Sequence, residues 1–193
     1  MDYSLKHWIV HEGVELLLKL GIRRGYKVVD FSCGSGNYTV PAAFIVGHKG
    51  VVYAIDKEEC DYWYGGCLRE LRLRVRSYKL DNVIIIKVNS LDIPLSDLSV
   101  DVVLLFDVLH SYYFPQSYER IRVLREVKRI LRCNGYLLFY PGDPEVFGNK
   151  EELRVIIEEI LSTDFKLDKI FKEMLIHEGS YVRGAIYRFI KQC

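Results

Sequence analysis

The chain has 193 residues, half of them hydrophobic and 27% charged, with a formal net charge of +1. That balance fits one domain with a sizeable core, residues 1–193. It excludes a disordered chain and any global electrostatic pull toward nucleic acid or anionic lipid. The opening residues Met1–His7 lack a basic region followed by an apolar run, and no apolar run approaches the ~20 residues that span a bilayer. Neither a signal peptide nor a membrane span is expected. Five cysteines without CxxC spacing predict reduced thiols in a cytoplasmic protein, Cys60 and Cys67 among them as free, mostly buried residues. A count of only two glutamines hints at a thermophilic composition.

In chain order, Leu5, Trp8, Ile9, Leu16, Leu17 and Leu20 recur at helical spacing, predicting a helical cap over about residues 1–20 that ends at Gly21. The next elements are a strand at Lys27–Phe31, a helix from near Tyr38 to Gly47, and a strand at Val51–Ile55. A helix over Glu58–Lys79 follows, with Leu68, Leu71, Val75 and Tyr78 as its apolar stripe. Strands at Val83–Val88 and Val102–Phe106 lead to a helix over Ser117–Arg132, and Asn134-Gly135 turns the chain into a strand at Tyr136–Tyr140. A helix at Lys150–Ser162 precedes two β-like runs, Lys169–Ile176 and Tyr181–Ile190, joined by the loop Glu178-Gly179-Ser180. Nearly all-apolar strands alternating with helices imply a parallel sheet covered on both faces. The expected fold is α/β, Rossmann-like and doubly wound: a mostly parallel seven-stranded sheet with an antiparallel C-terminal hairpin.

The segment Val28–Thr39 carries the chemistry. A buried strand ends at Asp30-Phe31, and Gly34-Ser35-Gly36 lets the backbone approach a ligand closely. Twenty residues after Gly36, Asp56 ends the next strand, where a carboxylate can accept both hydroxyls of a ribose. A nicotinamide-binding turn would carry a third small residue where Thr39 stands. Asp30 would also repel a pyrophosphate, whereas it suits a cationic or zwitterionic ligand. S-adenosylmethionine, with a sulfonium and an ammonium and no phosphate, meets that requirement.

From Gly21 to Tyr140 the sequence resembles the class I S-adenosylmethionine-dependent methyltransferases, in particular their small-molecule branch, and its last two strands match as well. Asp30-Phe31-Ser32-Cys33-Gly34-Ser35-Gly36 corresponds to the family's Asp-x-Gly-x-Gly-x-Gly motif, with Ser32 in place of the first Gly. The resemblance implies that Gly34 and Gly36 pass beneath the cofactor's methionine and ribose and that Asp30 lies near its ammonium. It implies that Asp56 holds the ribose and that Lys57 flanks the adenine. Asn89, followed by Ser90 and Leu91, stands where an Asp commonly meets the adenine amino group, and an Asn carbonyl can accept the same bond. Ile93-Pro94-Leu95 and Val100–Val103 match the approach to the fourth strand. Asp107 and His110 fall where sulfonium and acceptor meet. Leu131–Leu137 matches the turn before the fifth strand, with Cys133 and Asn134 replacing Pro and Gly.

Methyl transfer from a sulfonium needs an in-line nucleophile and exclusion of water. His110 is the candidate general base. Tyr112 and Tyr113, beside Phe114, are candidates for an acceptor pocket, as are Tyr3 and Trp8 of the N-terminal segment. His7, His11 and Glu12 lack a third ligand, so no metal is expected. Arg69, Arg72 and Arg76 form a helical stripe that reads as a solvated face, and nucleic-acid binding is not expected. The segment after the fourth strand lacks the Pro-Pro-aromatic grip of amino-base methylases. The expected activity is methyl transfer from S-adenosylmethionine to a small-molecule acceptor by direct displacement. The rivals are a methylase of RNA or protein, a non-catalytic protein holding S-adenosylmethionine or S-adenosylhomocysteine, and a nicotinamide-dependent oxidoreductase.

Overall fold

The computed structural model describes residues 3–57, 67–142, 150–177 and 179–192. Its elements are α1 (Tyr3–His7), α2 (Gly13–Leu20), β1 (Lys27–Phe31), α3 (Thr39–Val46), β2 (Val51–Asp56), α4 (Leu68–Ser77), β3 (Val83–Lys87), β4 (Val100–Phe106), α5 (Ser117–Ile130), β5 (Leu131–Tyr140), α6 (Lys150–Ser162), β6 (Phe165–His177) and β7 (Ser180–Lys191). The N-terminal cap is interrupted by a π-helical turn, Trp8–Glu12, which joins α1 to α2 and buries Trp8 and Ile9.

The strands form one sheet in the order β3-β2-β1-β4-β5-β7-β6. The first five are parallel, and β7 runs antiparallel to both β5 and β6. Successive strand residues point to opposite faces, so each central strand feeds two cores. Val28, Val102 and Leu104 join Trp8, Leu17, Val40 and Leu71 on one face. Val29, Val103 and Leu105 join Leu124, Val127, Ile156 and Ile160 on the other. The second face is also tied by Arg120 of α5, whose guanidinium donates to both carboxylate oxygens of Glu159 in α6, each at 2.7 Å.

Several boundaries differ from the sequence expectation. The helix expected over Glu58–Lys79 is observed as Leu68–Ser77, and residues 58–66 lie outside the described residues. The helix expected to reach Arg132 ends at Ile130, and β5 begins at once with Leu131, with a register shift on β4 opposite between Val100 and Val102. Asn134 holds a left-handed backbone, φ 62°, so Asn134-Gly135 bends the strand without ending it. In the hairpin, β7 inserts between β5 and β6, so the later strand lies inside the sheet and β6 forms the edge.

The reduced-thiol expectation is corrected. Cys67 and Cys133 are disulfide-bonded, while Cys33 is free and buried. Pairing depends on how closely the folded chain brings two Cα atoms together, which local spacing does not encode. No helix among the described residues is long and apolar enough to cross a membrane.

Candidate active site

The strand order reverses between β1 and β4, which opens a crevice at the carboxyl ends of these strands. The chain leaves β1 through a turn anchored to β2: Ser32 and Cys33 donate their N–H groups to the Ile55 carbonyl at 2.8 and 3.1 Å. Three alternate residues of this turn are left-handed, Ser32 at φ 62°, Gly34 at 52° and Gly36 at 81°. The Gly34 N–H donates to Asp56 Oδ2 at 2.8 Å, so the acid at the tip of β2 also fixes the turn. At Gly36 a Cβ would lie 2.4 Å from Leu71 Cδ1. That glycine admits α4 against the turn, a packing role beyond the ligand approach expected of it.

Asp30 is buried beneath this turn and accepts a hydrogen bond from Thr39 Oγ1 at 2.5 Å. Burial pushes its carboxyl up to about 7, the nearby Asp56 charge adds to the rise, and the Thr39 hydrogen bond opposes it. Asp56 is also buried. Two buried carboxylates thus lie near enough to raise each other's cost of ionisation, an arrangement that a bound cation would relieve. Thr39, weighed in the sequence only as a residue too large for a dinucleotide turn, is the group that orients Asp30.

Asp107 follows β4 with a left-handed backbone, φ 57°, and its N–H donates to the Tyr140 carbonyl at 2.9 Å. Two imidazoles flank its carboxylate: His177 Nε2 lies 2.7 Å from Oδ2 and His110 Nε2 lies 3.6 Å from Oδ1. Burial pushes this carboxyl up, but the hydrogen bonds and charges of His110 and His177 outweigh it and hold it below the ordinary range. The strand expected at Lys169–Ile176 extends to His177, which places a histidine at its carboxyl end that the apolar pattern alone does not mark. Because β6 runs in the same direction as β5, that end lies on the ligand edge of the sheet.

Tyr38 joins the two halves of the site. Its hydroxyl donates to the Ile176 carbonyl at 3.0 Å and accepts the Ile176 N–H at 3.2 Å. Its ring packs edge-on against Phe106 and Trp8. Trp8 is fully buried and donates Nε1–H to the Asn37 carbonyl at 3.0 Å, so it supports the turn from the core. Nothing is described for the Tyr3 side chain. His110 is buried, with the Tyr113 ring 4.9 Å away, and Tyr112 and Tyr113 are exposed. Lys57, Asn89 and Ser90 are exposed around the ends of β2 and β3, with Leu91 half-buried. On α4, Arg74 is buried, paired with Glu70 and donating to Asn37 Oδ1 at 2.7 Å, while Arg69 and Arg76 of the stripe are exposed.

A family model described as a methyltransferase domain matches residues 22–179. The chain belongs to this methyltransferase family and has its class I, S-adenosylmethionine-dependent architecture. Over 138 residues it is 25% identical to the demethylmenaquinone methyltransferase of Geobacillus stearothermophilus, covering 71% of this chain and 54% of that protein. Over 43 residues it is 56% identical to a probable cobalt-precorrin-6B C(15)-methyltransferase (decarboxylating) of Saccharolobus solfataricus, 22% of each chain. The chain therefore spans about half or less of these curated relatives. A crystal structure of a SAM-dependent methyltransferase from Aquifex aeolicus superposes with a TM-score of 0.73 at 24% identity, over 98% of this chain and 94% of that one.

Proposed function

We propose that this protein transfers a methyl group from S-adenosylmethionine to a small-molecule acceptor. The observation that supports this most directly is the buried pair Asp30 and Asp56 on either side of a left-handed turn. Two negative charges in a low-dielectric crevice favour a ligand carrying positive charge, and raise the energy of binding a pyrophosphate. The residues present therefore fit an adenosyl sulfonium with its ammonium. In this reading Asp30 faces the ammonium, Ser32, Gly34 and Gly36 pass under the methionine and ribose, and Asp56 holds the ribose. Lys57, Asn89, Ser90 and Leu91 border the adenine, and Asp107 lies at the sulfonium end.

The bound sulfonium supplies an activated methyl carbon, and the protein's part is to align the acceptor and exclude water. Tyr112 and Tyr113 offer aromatic faces at the mouth for a small planar acceptor. Trp8 and Tyr3 belong to the N-terminal helical segment, from which the buried Trp8 indole supports the turn. The names of the curated relatives, which act on a quinone precursor and a precorrin, support a small molecule over a macromolecule. The burial of Arg74 against Asn37 and Glu70 removes it from the arginine cluster as a phosphate-binding surface. In this reading residues 1–193 act as one domain in the cytoplasm. Disulfides at Cys67 and Cys133 are compatible with that setting, since intracellular proteins of hyperthermophiles carry them.

Calorimetric titration with S-adenosylmethionine, S-adenosylhomocysteine and NAD tests the reading. Both adenosyl compounds should bind and NAD should not. Binding of NAD alone, or of none of the three, would overturn it.

A further inference from the structure

His177 has no part in the family resemblance, yet it makes the shortest contact to the carboxylate that faces the reacting end of the site. Resting on the methyl transfer proposed above, we propose that His177, oriented by Asp107, accepts the acceptor's proton. The acceptor is then a weakly acidic hydroxyl compound, a phenol or enol, that loses its proton as it is methylated.

Three observations carry this. His177 Nε2 lies 2.7 Å from Asp107 Oδ2, a geometry that fixes an imidazole's tautomer and stabilises the imidazolium it becomes. The position is imposed by the fold, because the residue before it is clamped through both its N–H and its carbonyl by the Tyr38 hydroxyl. Access separates the two histidines beside Asp107: the His177 side chain is 15% exposed and that of His110 is 2%. His177 is thus the more accessible of the two imidazoles beside Asp107.

The chemistry follows from what a sulfonium does not need. A methyl group on positive sulfur is already activated, so an anionic nucleophile requires no base, whereas a neutral hydroxyl does. In the step inferred here the acceptor's O–H bond breaks and its proton passes to the His177 imidazole. The oxygen pair forms the bond to the methyl carbon, and the carbon–sulfur bond breaks with its pair going to sulfur, giving the methyl ether and S-adenosylhomocysteine. Charge balances, since the sulfonium's positive charge leaves as the imidazolium beside Asp107. The titratable groups described around this pair are His110 on the same loop, Tyr38 before α3, Tyr140 at the end of β5, Asp30 at the end of β1, and Glu152 of α6, whose carboxyl lies within the influence of His110.

The test uses the full chain, labelled S-adenosylmethionine, and two probe acceptors of one shape, 2-naphthol and 2-naphthalenethiol. The thiol ionises far more readily and so depends less on a base. Wild type should methylate 2-naphthol with a rate that rises as an imidazole loses its proton. His177→Asn should lower that rate about 100-fold, abolish the rising limb, and depress the thiol rate about tenfold less. Asp107→Asn should retain a hydrogen-bonding side chain but lower the 2-naphthol rate and move the limb to lower pH. Equal losses on the two acceptors, a retained 2-naphthol rate in His177→Asn, or a wild type that methylates neither probe or only the thiol would overturn the inference. Calorimetry with S-adenosylhomocysteine separates the two levels. Absence of binding to wild type sinks the methyl-transfer reading itself, whereas binding with any of those kinetic results sinks only the role of His177.

Discussion

The Tyr38 hydroxyl makes both of its hydrogen bonds to Ile176, one to the carbonyl and one from the N–H, across a separation of 138 residues. Residues flanking the ligand turn are thereby tied to the strand that presents His177. Tyr38→Phe keeps the ring against Phe106 and leaves two buried backbone groups without their partner. Each such group costs on the order of 1 kcal/mol or more. Thermal unfolding should show a Tm lower by about 4–8 °C for a loss of about 2 kcal/mol in a domain of this size. An unchanged Tm would show that water replaces the hydroxyl there.

Asp56 serves the turn and the proposed ribose contact at once. Asp56→Ala should weaken S-adenosylhomocysteine by about 1.5–3 kcal/mol, the range for hydrogen bonds to a charged group. Asp56→Asn retains an oxygen for the Gly34 N–H and should keep the turn's stability while still losing affinity. Titration calorimetry with a urea melt of each variant separates the two roles. Equal affinity in all three proteins would remove Asp56 from the ligand site.

Asp30, pushed up to about 7, makes affinity and stability respond to pH in opposite directions. Its folded-state value lies above its ordinary one, so the folded apo-protein holds this proton more tightly than the unfolded chain. That contribution to stability is full below about pH 4 and is lost as pH rises through about 7. A cationic ligand prefers the ionised carboxylate, so S-adenosylmethionine affinity should rise about tenfold between pH 5 and pH 6 and level off above 7. Asp30→Asn should bind weakly with no such slope. Calorimetry across this pH range in buffers of different ionisation enthalpy should also detect the released proton.

Ser32 sits at φ 62°, where an L side chain is strained by about 1 kcal/mol. Ser32→Gly should therefore raise stability by about that amount in chemical denaturation. Ser32→Val, whose branched side chain fits this backbone worse, should lower it. A Val variant as stable as wild type would contradict the backbone assignment.

The arrangement of β1 to β5 was legible in the sequence because each strand is a short apolar run bounded by turn residues, with a helical stripe between. Asp30, Gly34, Gly36 and Asp56 were legible because their spacing is local to one strand–turn–helix unit and the next strand. His177 and Thr39 were not. Their roles depend on contacts that form only when β6 returns to the ligand edge and when α3 packs over β1. Ser32 and Asn134 show the same limit from the other side: both replace a family glycine, and the backbone keeps its left-handed bend regardless. That Cys67 and Cys133 are each disulfide-bonded was invisible for a related reason, since nothing in their neighbours announces it.

The insertion of β7 between β5 and β6 sets an order on assembly during synthesis. Strand β6 leaves the ribosome before β7 yet has no place in the sheet until β7 has docked on β5. The turn that cradles the proposed cofactor can form while the later strands are still being made, but the imidazole facing Asp107 arrives only with the closing strand. On the methyl transfer and the His177 role proposed above, the site would gain its base last.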